Sequence, residues 1–128
     1  MSYYFAKVLQ GGFGAVVERV RQGLKEEGFG ILTDIDMQEA LKEKLGVNYP
    51  RYRILGACNP PFAHQALQAE VRIGTMLPCH VVVRETEDGE TEVVAVDPVA
   101  SMQAVENPEL ARIAEQIREK LRSVVEKL

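Results

Sequence analysis

Cysteine is scarce: Cys58 and Cys79 are the only two in 128 residues. That is too few for the disulfide-stapled scaffolds of small secreted proteins, and in a reducing compartment both would stay thiols. No apolar run approaches the roughly 20 residues that cross a bilayer. The opening Met1-Ser2-Tyr3-Tyr4-Phe5-Ala6-Lys7 lacks the basic region and long apolar stretch of a signal peptide. Both absences lead to a cytoplasmic expectation. Serine occurs only at Ser2, Ser101 and Ser123, none in a nucleophile elbow, and no paired-carboxylate or Ser-His-Asp pattern is present. Conventional hydrolase chemistry is therefore disfavoured. Gly11-Gly12-Phe13-Gly14 precedes a helical pattern and has an anion-holding look, but it lacks the Lys-Ser/Thr of a P-loop and the Gly-x-Gly-x-x-Gly order of a dinucleotide site. Basic residues are interspersed with acidic ones and the net charge is -4, so no duplex-binding surface is expected. Asparagine stands at three positions, a scarcity that fits a heat-tolerant protein.

What is present is an ordinary globular composition, 46% hydrophobic and 27% charged, of a length that suits one domain over residues 1–128. Tyr3 to Leu9 has strand character. Val16, Val17, Val20 and Leu24 then recur at helical spacing up to a C-cap at Gly28. A second strand over Phe29 to Ile35 runs into Asp36-Met37-Gln38-Glu39, whose spacing is that of a capping box. The helix it opens carries Met37, Leu41 and Leu45 on one side and stops at Gly46. Tyr52 to Cys58 is a third strand, followed by Asn59-Pro60-Pro61, an N-cap and first turn for a short helix with Ala63, Ala66 and Leu67. An irregular Gly74-Thr75-Met76-Leu77-Pro78 link leads to a fourth strand, Cys79 to Thr86. Asp88-Gly89 marks a tight hairpin into Thr91 to Val96, with Arg84 and Glu85 facing Thr91 and Glu92.

Asp97-Pro98 opens a short helical turn as an N-cap rather than as an acid catalyst, and Asn107-Pro108 opens a long helix. Its apolar stripe, Leu110, Ile113, Ala114, Ile117, Leu121, Val124, Val125 and Leu128, is the strongest periodicity in the chain. Arg112–Glu115, Glu115–Arg118 and Glu119–Arg122 are spaced to pair along its outside. The expected fold is α+β: a mostly antiparallel sheet of about five strands, two long amphipathic helices on one face, and short connecting helices. Strand residues such as Ile31-Leu32 and Val93-Val94 are apolar on both parities, so the second face also wants cover, which a homodimer supplies.

Leu55-Gly56-Ala57-Cys58-Asn59-Pro60, the run from Gly74 through Met76-Leu77-Pro78-Cys79-His80 to Glu85, Asp88-Gly89 and Asp97-Pro98 together resemble the domain of unknown function 302 family. The resemblance spans nearly the whole chain. It implies a compact α+β fold related to the TATA-binding-protein-like sheet-and-helix arrangement, often dimeric. It implies no activity and carries over no catalytic residue.

The candidate site is therefore read from the residues. Cys58 ends a strand just before a helix start, where the dipole favours a thiolate; a buried thiol sealing the junction is the plainer account. Cys79 is in phase with Val81 and Val83, hence core-facing. His80 is in phase with Val82 and Arg84, hence exposed. His64 lies on the short helix, with a solvent-side position as the plain account. Met76 has a soft sulfur, although gap-filling in a core is its more usual part. If the third and fourth strands are neighbours, Cys58, Cys79 and either histidine converge as ligands for zinc or copper(I). Three uses follow: a small molecule or soft metal ion bound near Cys58, Cys79 and His80; a thiol enzyme with Cys58 as nucleophile; or an interaction module without a ligand.

Overall fold

The computed structural model describes residues 2–128. One five-stranded sheet has the order β1-β5-β4-β3-β2 and is antiparallel throughout. Its strands are β1 (Tyr4–Leu9), β2 (Gly30–Asp36), β3 (Tyr52–Cys58), β4 (Cys79–Glu85) and β5 (Thr91–Val96). The helices are α1 (Phe13–Glu26), α2 (Met37–Leu45), α3 (Pro60–Ala69), α4 (Pro98–Ser101) and α5 (Pro108–Glu126), with a 3₁₀ segment over Val71–Met76. The α+β architecture read from the sequence is the one observed.

Alternation decides which face is inside. Leu55 and Ala57 of β3, Cys79, Val81 and Val83 of β4, and Val93 and Ala95 of β5 are buried on one side. Onto them α1 lays Val16, Val17, Val20 and Leu24, and α5 lays seven buried residues from Leu110 to Val125. Burying these stripes is the main source of stability, at about 25 cal/mol per Å² of apolar surface removed from water. On the opposite face Tyr4, Val8 and Ile35 stay exposed.

Termination is local chemistry. Gly28 takes a left-handed φ of +87° and donates to Lys25 at 3.0 Å, while the Phe29 amide reaches Leu24 at 2.9 Å. This is a Schellman close, with Phe29 and Leu24 both buried. Asp36 accepts from the Glu39 amide at 3.0 Å, the N-cap half of the capping box; the Glu39 carboxylate makes no return bond to the Asp36 amide. Asn107 caps α5 by accepting from the amides of Glu109 and Leu110. Lys7 points inward from the edge strand and donates to the carbonyls of Glu126 and Leu128 at 3.1 and 2.6 Å, closing the other end of α5.

The α2 stripe is half-covered at Met37 and Leu41, and Leu45 is 70% exposed. Three expectations are corrected. The hairpin is looser than a two-residue turn. Gly89 alone has positive φ, and Thr86 closes the loop with its hydroxyl and backbone, the pattern of a type I turn followed by a left-handed glycine. Along α5 only Glu119–Arg122 forms, at 3.0 Å. Arg118 turns instead to Asp97, 3.3 Å away, and with Arg122 it lies over the Phe5 ring; an ion pair to the buried Asp97 is screened less by water than one to a solvated glutamate. Of the link before Pro78, Gly74–Met76 belong to the 3₁₀ segment Val71–Met76, while Leu77 is extended and joins Pro78 through a cis bond. Arg84 and Glu92 do pair across the hairpin, at 2.7 Å.

Asp34 sits between two guanidinium groups. Arg53 donates to it from Nε at 2.8 Å and also from Nη2, and Arg21 of α1 reaches it from the helix layer. Arg53, and then Arg21, hold its carboxyl below the ordinary 3.8 against the opposing effect of burial. A lowered folded value means the contribution is present above the unfolded pKa and is lost as pH falls through the folded one. Asp34→Asn is expected to lower stability at pH 7 by about 1 kcal/mol. Urea melts should show that gap closing below about pH 4; a gap that persists there would mean the pair contributes by packing alone.

Candidate functional site

The β3–β4 register places Ala57 opposite Cys79 and Gly56 opposite His80. The two cysteines therefore arrive at the same end of the sheet, where β3 runs into α3 and β4 emerges from the cis-proline link. There a cavity of about 310 Å³ opens. Ala57, Cys58, Cys79 and Ile117 of α5 line it from the sheet and helix layers; Ala63 and Leu67 of α3, Phe29 and Leu32 from the β2 side, and Gly74, Leu77 and Pro78 complete the wall, with Asn59 beside Cys58. No lining side chain is charged.

Two local devices build this space. The β2–β3 register slips between Ile31 and Thr33, leaving Leu32 without a partner. Such a bulge re-aims the extra side chain. Leu32 is turned to the cavity and stays 65% exposed, while Asp34 is returned to the helix face opposite Leu55. Pro78 is seated directly on Gly56. A Cβ at that glycine would lie 2.7 Å from Pro78 Cγ and would also meet Thr33, so only glycine lets the proline wall close down on β3.

Asn59 occupies the N-cap of α3, but its side chain does not cap it. Pro60 and Pro61 fill the first two helical positions and carry no N–H, which leaves little for an N-cap oxygen to accept. The buried amide instead donates from Nδ2 to the Glu27 carbonyl at 3.2 Å, tying the α3 start to the α1 end. The same prolines remove the amides that would have steadied a thiolate at Cys58. Burial pushes the Cys58 thiol above the ordinary 9.0, opposite to the direction expected from the helix dipole. Cys79 is pushed up to about 11, chiefly by burial and secondly by its neighbour Cys58. Both are free thiols held protonated at neutral pH.

The structure thus brings Cys58 and Cys79 to one wall and keeps the histidines apart from it. His80 lies exposed on the other face of β4, and His64 is exposed on α3; neither lines the cavity. Met76 packs against the core, as gap-filling methionines do. Among the described residues no three His, Cys, Asp or Glu side chains are grouped to hold a metal ion, and no helix is long and apolar enough to cross a membrane. The cavity itself went unread in the sequence. Its signal was the run of small residues at Gly56-Ala57, Ala63 and Gly74, which leave room where larger side chains would have filled it.

An open antiparallel sheet backed by two long helices, with an apolar cavity at one end, defines an α+β protein with a ligand-sized hollow. The chain belongs to the family described as Domain of unknown function DUF302, whose signature matches residues 5–128. It is similar to a crystal structure of an uncharacterized conserved protein DUF302 from Bacillus stearothermophilus, with 29% identity and a TM-score of 0.92 over 99% of this chain and 98% of that one. No curated protein matches it.

Because the cavity supplies no base and holds both thiols protonated, Cys58 is expected to alkylate with iodoacetamide at pH 7 more slowly than free cysteine. Its rate should climb as pH rises beyond 9.0. Cys79, 5% exposed, should react only after unfolding. Peptide mapping of quenched time points reads both; a Cys58 rate at or above that of free cysteine would reveal an activating group.

Proposed function

We propose that the protein is a cytoplasmic, homodimeric small-molecule-binding protein whose site is the cavity beside Cys58 and Cys79. The observation that carries this is the cavity itself: about 310 Å³ with a nearly continuous apolar lining, the size and character of pockets that hold small ligands. A thiol enzyme built on Cys58 is a weaker use of the same wall, since nucleophilic catalysis needs a base within reach and no histidine lines it. A soft metal ion would find two sulfurs but has to recruit a further ligand from solvent or from the occupant.

A native mass spectrum of the protein as purified, without chelator or added reductant, tests the proposal. A stoichiometric added mass is expected, and it should vanish when Leu67→Trp fills the cavity. A mass matching zinc or copper that vanishes in Cys58→Ala would favour the metal. A bare chain that also gives no heat with candidate metabolites in titration calorimetry would count against binding altogether.

The dimer proposal rests on the outer sheet face, where Tyr4, Val8 and Ile35 are exposed and Val82 and Val94 are half-covered beside the neutralised Arg84–Glu92 pair. A face so apolar and so nearly neutral suits a second copy of itself. Sedimentation is expected to give twice 14.3 kDa, and Val8→Lys with Val94→Lys should return the monomer. A wild-type monomer at tens of micromolar concentration would overturn the proposal.

A further inference from the structure

The occupant's chemistry can be narrowed from the lining and the mouth. An ion transferred into this space would lose its hydration without gaining a partner, because the wall offers no charged side chain. Its one amide side chain, Asn59, already spends a donor on the Glu27 carbonyl. The two sulfurs add only weakly polar thiols. The mouth is apolar as well: Leu32 and Leu67 both line the cavity and are 65% and 41% exposed, so an occupant would cover them. The volume is about twice that of the ~150 Å³ apolar cavity known to take up a benzene ring.

We infer that the cavity selects an uncharged, largely apolar molecule of about the size of a fused two-ring aromatic or a branched chain of comparable bulk, and excludes its anionic and cationic analogues. This rests on the cavity being the binding site. The occupant sits between Leu32 and Leu67 at the mouth, packs on Ile117 within, and shields the Cys58 thiol. The charge discrimination comes from desolvation alone, so it acts against both signs equally. Steering by surface charge would favour one sign over the other.

Three probes sharing one ring system test this at pH 7.5: naphthalene, 1-naphthoate and 1-naphthylmethylammonium, each titrated into the full chain and each scored for protection of Cys58 from alkylation. The expected result is protection and saturable binding by naphthalene at least tenfold tighter than by either ion, with little difference between the ions. Ala63→Phe, which fills the space from α3, should abolish naphthalene binding. Should that variant fail to fold, Cys58 protection in the wild-type chain still decides the matter. If an ion binds as tightly as naphthalene and protects Cys58, the cavity remains the site but the inference about charge is wrong. If no probe protects Cys58 or binds saturably, both the inference and the cavity as a ligand site are overturned.

Discussion

The pairing of β3 with β4 is the constraint on which the rest depends. It sets Leu55 beside Val81 and Ala57 beside Cys79, and so defines the surface on which α1 and α5 deposit their apolar stripes. It also delivers the end of β3 and the start of β4 to a single point, from which α3 leaves and at which the cis-proline link arrives. Slipping that register by one residue would turn every buried valine of β4 outward and move His80 to the core. The cavity exists because two chain reversals meet at this end of the sheet, and neither brings side chains large enough to fill the space between them.

Polar groups are used as struts rather than as chemistry. Asn59 spans from the α3 start to the α1 end, Lys7 closes the C-terminus of α5 from an edge strand, and Asp34 links α1 to β3 through Arg21 and Arg53. Each satisfies groups that a helix end or a packed layer would otherwise leave unpaired. Asp97 is a further instance. Buried, it caps α4 by accepting from the Val99 amide at 2.9 Å, and its other oxygen lies 3.3 Å from Arg118 Nε as an ion pair without a hydrogen bond. The cavity is left as the place where a foreign molecule can gain contacts that the protein does not already make.

Element type and position were legible because period and punctuation agree. The α5 stripe is buried along seven of its eight positions, and Gly28, Gly46 and Asn107 end or begin helices as their chemistry demands. The directions of Cys79 and His80 followed from strand alternation, which holds within β4. Alternation failed at Leu32, because a bulge adds a residue that no propensity marks. The N-cap preference misled at Asn59, where two prolines left its side chain more use as a donor to a distant carbonyl. Arg118 was assigned to its own helix because neighbours in sequence are visible and a buried carboxylate from another element is not.

The sequence by itself determined the periodic content of this protein: which stripes are apolar, where helices stop, which strand residues share a face. These are short-range matters, settled within a turn or two of chain. Tertiary structure alone decided that Cys58 and Cys79 share a wall while both histidines stand apart from it, that burial raises the thiol pKa values where a helix start promised to lower them, and that small residues from β3, α3 and the cis-proline link leave a hollow. The physical reason is that an unfilled volume belongs to no residue. It is what remains when separate segments, each locally satisfied, are brought together by a register that only the folded sheet fixes.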